Sequence, residues 1–184
     1  SSIPNMHVMA PKNKWELSDM MKFAVDFGAP IAVRYPRGEA FAGLKEYRAP
    51  IELGKSELLY AEGDVCLLAV GSMVKTALEV RELLKEQGIG CSIVNARFVK
   101  PIDEEAVKWA VENHKLVVSM EENVASGGFG EKVREYLDQH VDKPQILNIT
   151  LPDDYVEHGN VDILRKEVGI DAETITNRIE ALLK

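Results

Sequence analysis

The sequence predicts an α/β protein: a three-layer α/β/α sandwich around a mostly parallel sheet, preceded by a partial α/β unit. Three observations carry that prediction. Short apolar runs alternate with helical patterns of about ten to fifteen residues. The run 65–70, Val-Cys-Leu-Leu-Ala-Val, is apolar throughout and ends at Gly71. A strand buried on both faces of a parallel sheet has that character. Right-handed crossovers between such strands then place helices on both sides.

The elements follow in order. Residues 6–10 form a short apolar run that Pro11 stops. Asn13 is placed to cap a helix, with Glu16 at the third position to bond back. Leu17, Met21 and Ala24 fall on one helical stripe, with Met20 and Phe27 at its flank. Gly28 and Pro30 end the helix. Ile31, Ala32 and Val33 begin a second strand, which runs into Arg34-Tyr35-Pro36-Arg37-Gly38. Two strands and one helix cannot bury both faces of a sheet, so residues 1–38 do not read as a domain on their own. Residues 39–50 show no period and close on Pro50, which reads as a linker.

From there the alternation is regular. A first strand lies within 51–60 and a second at 65–70. A helix over 72–87 carries Met73, Ala77, Val80 and Leu84 on one stripe and ends at Gly88. A strand covers 91–96. Asp103 caps the next helix, with Glu104 and Glu105 favourable in its first turn and Ala106, Val107, Ala110 and Val111 inward. A strand at 116–120 precedes a helix at 131–140, with Val133, Leu137 and Val141 inward. The last strand is 146–149. A final helix over 172–183 repeats the period at Ala172, Ile175, Ile179 and Leu182.

Composition excludes several functions. The chain has 184 residues, a formal charge of −8, 46% hydrophobic and 28% charged residues. That is the mix of an ordinary soluble globular protein. Its acidity is unlike a general binder of nucleic acid or of an anionic membrane. No apolar run approaches the ~18 residues of a membrane span. Residues 1–9 have neither a basic nor an apolar leader segment, so no signal peptide is expected. Cys66 and Cys91 are the only cysteines, each in a strand-like run. They read as buried reduced thiols, with a disulfide or redox pair as the alternative, and a cytoplasmic location is expected.

Chemistry in an open α/β sheet gathers beyond the carboxyl ends of the strands. Gly71-Ser72 offers either backbone N–H groups for an anion or a plain turn with Ser72 as helix cap. Gly127-Gly128-Phe129-Gly130 precedes a helix but lacks the lysine and hydroxyl of a phosphate loop, so a tight turn and close packing are expected. Glu121-Glu122-Asn123 offers paired carboxylates for acid–base work, against helix capping or interface pairing. His158 lies in a loop and reads as structural. The leading candidate is Arg34-Tyr35-Pro36-Arg37-Gly38. Pro36 stiffens the strand exit, and two guanidinium groups there suit a phosphate or carboxylate, against a surface ion pair.

With these residues in view, the chain resembles the 1-deoxy-D-xylulose-5-phosphate synthase family. The resemblance rests on Ile3-Pro4-Asn5-Met6, Val8-Met9-Ala10-Pro11 and residues 30–38 with the Arg-Tyr-Pro-Arg-Gly motif. It continues through Arg97-Phe98-Val99-Lys100-Pro101-Ile102-Asp103 and through Glu121-Glu122-Asn123 with Gly127-Gly128-Phe129-Gly130. It ends on Leu151-Pro152-Asp153, His158-Gly159 and Gly169-Ile170-Asp171. Transketolases and the β-subunits of 2-oxo-acid dehydrogenases share the fold but usually lack this tail and this arginine motif.

The resemblance implies a thiamine-diphosphate- and Mg²⁺-dependent transferase. It condenses pyruvate with D-glyceraldehyde 3-phosphate, with loss of CO₂, and its product serves isoprenoid, thiamine and pyridoxal synthesis. It implies a five-stranded sheet whose first strand is antiparallel. Residues 1–38 would be the end of a pyrimidine-binding domain and 51–184 the C-terminal domain. The cofactor, the metal and the catalytic residues would lie upstream, with none in this chain. Arg37 would hold the substrate phosphate, while Arg34 would be structural. The expected partners are the upstream domains and, in the full-length enzyme, a second copy. The isolated chain would be inactive. The competing readings are part of a transketolase or oxo-acid dehydrogenase relative, a separate C-terminal subunit, or a stand-alone interaction module.

Overall fold

The structure, a computed structural model, describes residues 3–140 and 145–184. Val141, expected on the inward face of a helix, lies outside the described residues.

Five strands form the main sheet: β3 (Glu57–Tyr60), β4 (Val65–Ala69), β5 (Cys91–Asn95), β7 (Leu116–Val124) and β8 (Ile146–Leu151), in the order β3-β5-β4-β7-β8. β3 runs antiparallel to β5. The pairs β4–β5, β4–β7 and β7–β8 are parallel. The expected mostly parallel five-stranded sheet with an antiparallel first strand is therefore the observed one.

The two faces of β4 show how the layers arise. Alternate side chains point to opposite sides of a strand. Val65, Leu67 and Ala69 join one core with Val80 and Leu84 of α2 (Met73–Glu86) and Ile175 and Ile179 of α6 (Ala172–Leu183). Cys66, Leu68 and Val70 join the other core. There they meet Val107 and Ala110 of α3 (Glu104–Asn113) and Phe129, Val133 and Leu137 of α4 (Phe129–His140). Each fully buried Leu, Val or Ile stabilises the fold by about 1.5–3 kcal/mol, so the two apolar layers dominate its stability. In α6 the inward residue at the end is Leu183, whereas Leu182 is half exposed. The inward face runs from Ile175 and Ile179 to Leu183, four residues apart, which leaves Leu182 facing outward.

Both cysteines are free and buried. They belong to opposite faces of the sheet, Cys91 to the first core and Cys66 to the second. Burial pushes the Cys91 thiol up to about 12 and the Cys66 thiol up as well. They are unreactive packing residues.

The N-terminal unit is built from β1 (His7–Met9), α1 (Lys14–Asp26) and β2 (Ile31–Val33), with β1 and β2 parallel. Its sheet has a third strand that the sequence pattern did not reveal. β6 (Phe98–Lys100) comes from the region of the main unit and pairs antiparallel with β1, giving the order β2-β1-β6. Met9, Met20 and Phe98 form a small core there, with Phe23, Ala24, Ile31 and Val33 against it. The buried stripe of α1 is thus Glu16, Met20 and Phe23 rather than Leu17 and Met21. Met21 and Val25 are exposed. The stripe turned because Phe98, which supplies its partner, belongs to the unforeseen strand.

Residues 39–50 have no regular structure, yet they are tied down. Leu44 is buried, the Phe41 carbonyl accepts from the Lys14 N–H, and Arg48 pairs with Asp19. A short helix, α5 (Val161–Glu167), was also not foreseen. It has no buried residue, so it has no apolar period to read.

Candidate functional site

The arginine turn leaves β2. Val33 is in register with Met9, and the Arg34 N–H donates to the Met9 carbonyl at 2.8 Å, extending the ladder by one residue. Pro36 has no N–H to continue it. Gly38 adopts φ +111°, which only glycine takes readily, and the chain turns away directly after Arg37. The two arginines occupy different surroundings. Arg34 is half buried, and its positive charge favours the ionised forms of Glu121 and Glu122, opposing the burial of each. Arg37 is exposed.

Glu121 and Glu122 stand at the end of β7, which is longer than its apolar run. Glu121 is fully buried and accepts the Phe129 and Gly130 N–H groups at 2.9 and 2.8 Å. Burial pushes its carboxyl up, and the two N–H groups oppose that shift. It therefore occupies the N-terminus of α4, where a phosphate would have to sit. The glycines serve that contact. A Cβ on Gly128 would lie 2.5 Å from the Glu121 carboxylate and 2.8 Å from the Val124 carbonyl.

Glu122 accepts from the Ser72 hydroxyl at 2.7 Å and from Arg165 at 3.2 Å. Burial raises its carboxyl, but these two partners outweigh burial and hold it below the ordinary range. Ser72 therefore does not cap α2. Its backbone is already helical, at φ −56° and ψ −28°, and its hydroxyl points to Glu122 instead. The acidic pair is spent on capping and ion pairing, not poised for proton transfer. His158 is exposed in its loop.

A third cluster was missed by sequence reasoning. Lys12, Glu16, Glu57, Asn95 and Arg97 are all buried where the N-terminal unit meets the main sheet. Asn13 caps α1 by accepting the Glu16 N–H, as expected. The Glu16 side chain does not bond back to Asn13. One oxygen takes the Lys12 N–H at 2.7 Å; the other takes Lys12 Nζ at 2.9 Å and Arg97 Nε at 2.8 Å. Asn95 Nδ2 donates to the same carboxylate at 2.9 Å. Glu57 receives Lys12 Nζ at 2.6 Å, Arg97 Nη2 at 3.2 Å and the Ala49 N–H at 2.9 Å. Burial raises the Glu57 carboxyl, but these donors prevail and lower it. Arg97 completes its fork on the Pro50 and Ala49 carbonyls, each at 2.9 Å. Two cations and two carboxylates balance, as a buried cluster requires.

Among the described residues no group of three His, Cys, Asp or Glu side chains could hold a metal ion. No helix among them is long and apolar enough to cross a membrane. One surface hollow of about 370 Å³ is lined by charged and polar side chains of α4 and shares no residue with the arginine turn. The one glycine-rich helix start is filled by Glu121, so these residues do not fit a cofactor diphosphate.

Comparison with known proteins places this geometry. Residues 54–175 match the transketolase C-terminal domain. The chain is 45% identical over 181 residues to 1-deoxy-D-xylulose-5-phosphate synthase of Lachnoclostridium phytofermentans, covering 97% of this chain and 29% of that protein. It is 46% identical over 184 residues to 1-deoxy-D-xylulose-5-phosphate synthase 2 of Geobacter sulfurreducens, covering 98% of this chain and again 29% of the relative. The chain thus spans under a third of the length of these curated relatives. Among solved structures, a split-gene transketolase described as an inactive β4 tetramer superposes with a TM-score of 0.88 at 24% identity, covering 98% of this chain and 58% of that one. A Pichia stipitis transketolase superposes at 0.71 with 18% identity, over 98% of this chain and 25% of that one. At these identities the structures speak for the fold alone. The chain belongs to the family of proteins that carry the transketolase C-terminal domain.

Proposed function

We propose that this chain is the C-terminal part of a 1-deoxy-D-xylulose-5-phosphate synthase and that Arg37 holds the phosphate of D-glyceraldehyde 3-phosphate. One observation carries the reading. Relatives with that name are 38–46% identical along nearly the whole chain, and the exposed Arg37 at the exit of β2 lies in the motif that suggested the family. The enzyme would join pyruvate to the phosphorylated aldehyde with loss of CO₂, acting as a homodimer in the cytoplasm. Thiamine diphosphate, with Mg²⁺, supplies the carbanion chemistry in such enzymes. It would be held by upstream domains, because this chain's residues do not form a place for it. Residues 1–38 would complete the pyrimidine-binding domain, residues 39–50 would link it, and 51–184 would form the C-terminal domain and contribute dimer contacts.

The chemistry assigned to Arg37 is limited and specific. A guanidinium fork donates two parallel N–H bonds to phosphate and cannot lose its charge. It binds the substrate's remote end and orients the aldehyde. Arg37→Ala in the intact enzyme should raise the KM for glyceraldehyde phosphate about tenfold to a hundredfold, the loss of one charged contact. The KM for pyruvate should stay within about twofold of its starting value. Steady-state kinetics with each substrate varied in turn decides the matter; equal changes in both constants contradict the assignment.

Purified alone, the chain should release no CO₂ from pyruvate with thiamine diphosphate and Mg²⁺ supplied. Sustained decarboxylation by the 184-residue polypeptide would overturn the assignment of catalysis to upstream domains. A second reading has a precedent in the split-gene transketolase, described as an inactive β4 tetramer. Under it, this chain is a separate subunit. The length of its open reading frame separates the two: about 600 codons for a single polypeptide, or near 184 for a subunit.

A further inference from the structure

We propose that Arg97 is a positioning residue for the arginine turn, acting through β1 and β2 without touching substrate. The proposal rests on the reading of Arg37 given above and names what holds it in place.

The geometry begins with an outlier. Arg97 is 1% exposed and has φ +58°, in the left-handed region where a side chain is rare and strained. Glycine would take that conformation without strain. Such a conformation persists only where the surroundings over-determine it, and it is a pointer to function when it does. Here it lets one residue serve both units. The backbone carbonyl turns toward the N-terminal unit and accepts the Ala10 N–H at 2.7 Å. The guanidinium itself bridges the two, holding Glu16 of α1 on the N-terminal side and Glu57 of β3 with the carbonyls of residues 49 and 50 on the other.

Two further contacts carry the position onward. Phe98, the next residue, pairs with Met9, and Met9 pairs with Val33 on its other side. The Met9 carbonyl then takes the Arg34 N–H. The path from Arg97 to the arginine turn is thus short: one hydrogen bond from Ala10 to Arg97, one peptide unit to Met9, one hydrogen bond from Arg34 to Met9, then three residues of chain to Arg37. At the far end Arg34 is half buried, and its charge is attracted by the Glu121 and Glu122 carboxylates of β7. On this proposal a shift of the Arg97 backbone passes to β1 through Ala10 and from β1 to the start of the arginine turn through Arg34. Displacements near 1 Å at a substrate-orienting group are costly to catalysis.

The test separates positioning from plain stability. Arg97→Lys keeps a cation beside Glu16 but cannot engage Glu57 and two carbonyls at the same time. In the intact enzyme it should raise the KM for glyceraldehyde phosphate about tenfold and leave the KM for pyruvate within about twofold. With unphosphorylated D-glyceraldehyde as acceptor the variant should match the unaltered enzyme. The double variant Arg37→Ala with Arg97→Lys should match Arg37→Ala alone, because the second change acts only through the first.

Equal losses with both aldehydes, or effects that multiply in the double variant, would overturn the proposal. A failure of Arg37→Ala to distinguish the two aldehydes would instead overturn the reading on which it rests. Should Arg97→Lys not fold, Glu57→Gln takes its place with the same expected and overturning results. That change removes the negative charge facing Arg97 and Lys12 but keeps the side chain's shape.

Discussion

Glu16→Ala should be among the most damaging single changes in the protein, costing about 3–5 kcal/mol, the range for removing one partner of a buried ion pair. The size follows from what is left behind. Lys12 is 2% exposed and Arg97 1%. Without the Glu16 carboxylate both cations face Glu57 alone, and Asn95 loses its principal acceptor. None of them can reach water without opening the seam between the two units. Glu16→Gln should cost less, since the amide oxygen still accepts from part of the four donors, Lys12 N–H, Lys12 Nζ, Asn95 Nδ2 and Arg97 Nε. Urea unfolding of the protein and both variants gives the order directly. A loss under about 1 kcal/mol for the alanine variant would mean that the cluster is solvated, as surface pairs are.

Gly128→Ala should cost about 3 kcal/mol, at the upper end of overpacking effects. The added methyl would meet the Glu121 carboxylate at 2.5 Å and the Val124 backbone carbonyl at 2.8 Å. A flexible side chain might give way, but a backbone carbonyl inside a turn does not. Glu121 has no freedom either, because both its oxygens hold N–H groups at the start of α4. Relief would require the helix to move off its cap, exposing a buried carboxylate. Gly127→Ala serves as the control. A Cβ there meets nothing within 4 Å, and only the cost of φ +69° remains, about 1–2 kcal/mol. Thermal or urea midpoints for the two variants test the difference. Equal losses would assign the glycines to turn conformation rather than to close approach.

Most of the architecture was legible in the residues because it is written in local period. Val65–Ala69, Cys91–Asn95 and Leu116–Met120 are apolar runs that need no context, and the stripe Met73, Ala77, Val80, Leu84 reads as a helix face. What escaped is non-local. Phe98–Lys100 is three residues long and pairs with a strand about ninety positions earlier, too short for a period of its own. α1 then turned Met20 inward and Met21 outward, because Phe98 decided which face was covered. α5 buries nothing and so carried no pattern.

The candidate site divides the same way. The arginine turn stood out as two cations beside a proline in an acidic chain. Glu121 as the cap of α4 was one of the two readings open for that residue. The cluster around Arg97 was invisible, since Glu16 and Arg97 are 81 positions apart and each had a sufficient local reading. Glu16 looked like half of a capping box, and it spends its carboxylate elsewhere.

The strand exchanged between the two sheets has a mechanical consequence. A load applied at the N-terminal unit cannot stretch residues 39–50 as a tether, because the first thing it meets is the β1–β6 ladder in parallel with the ion cluster. These bonds are loaded together rather than one after another. The seam is therefore stiff in shear.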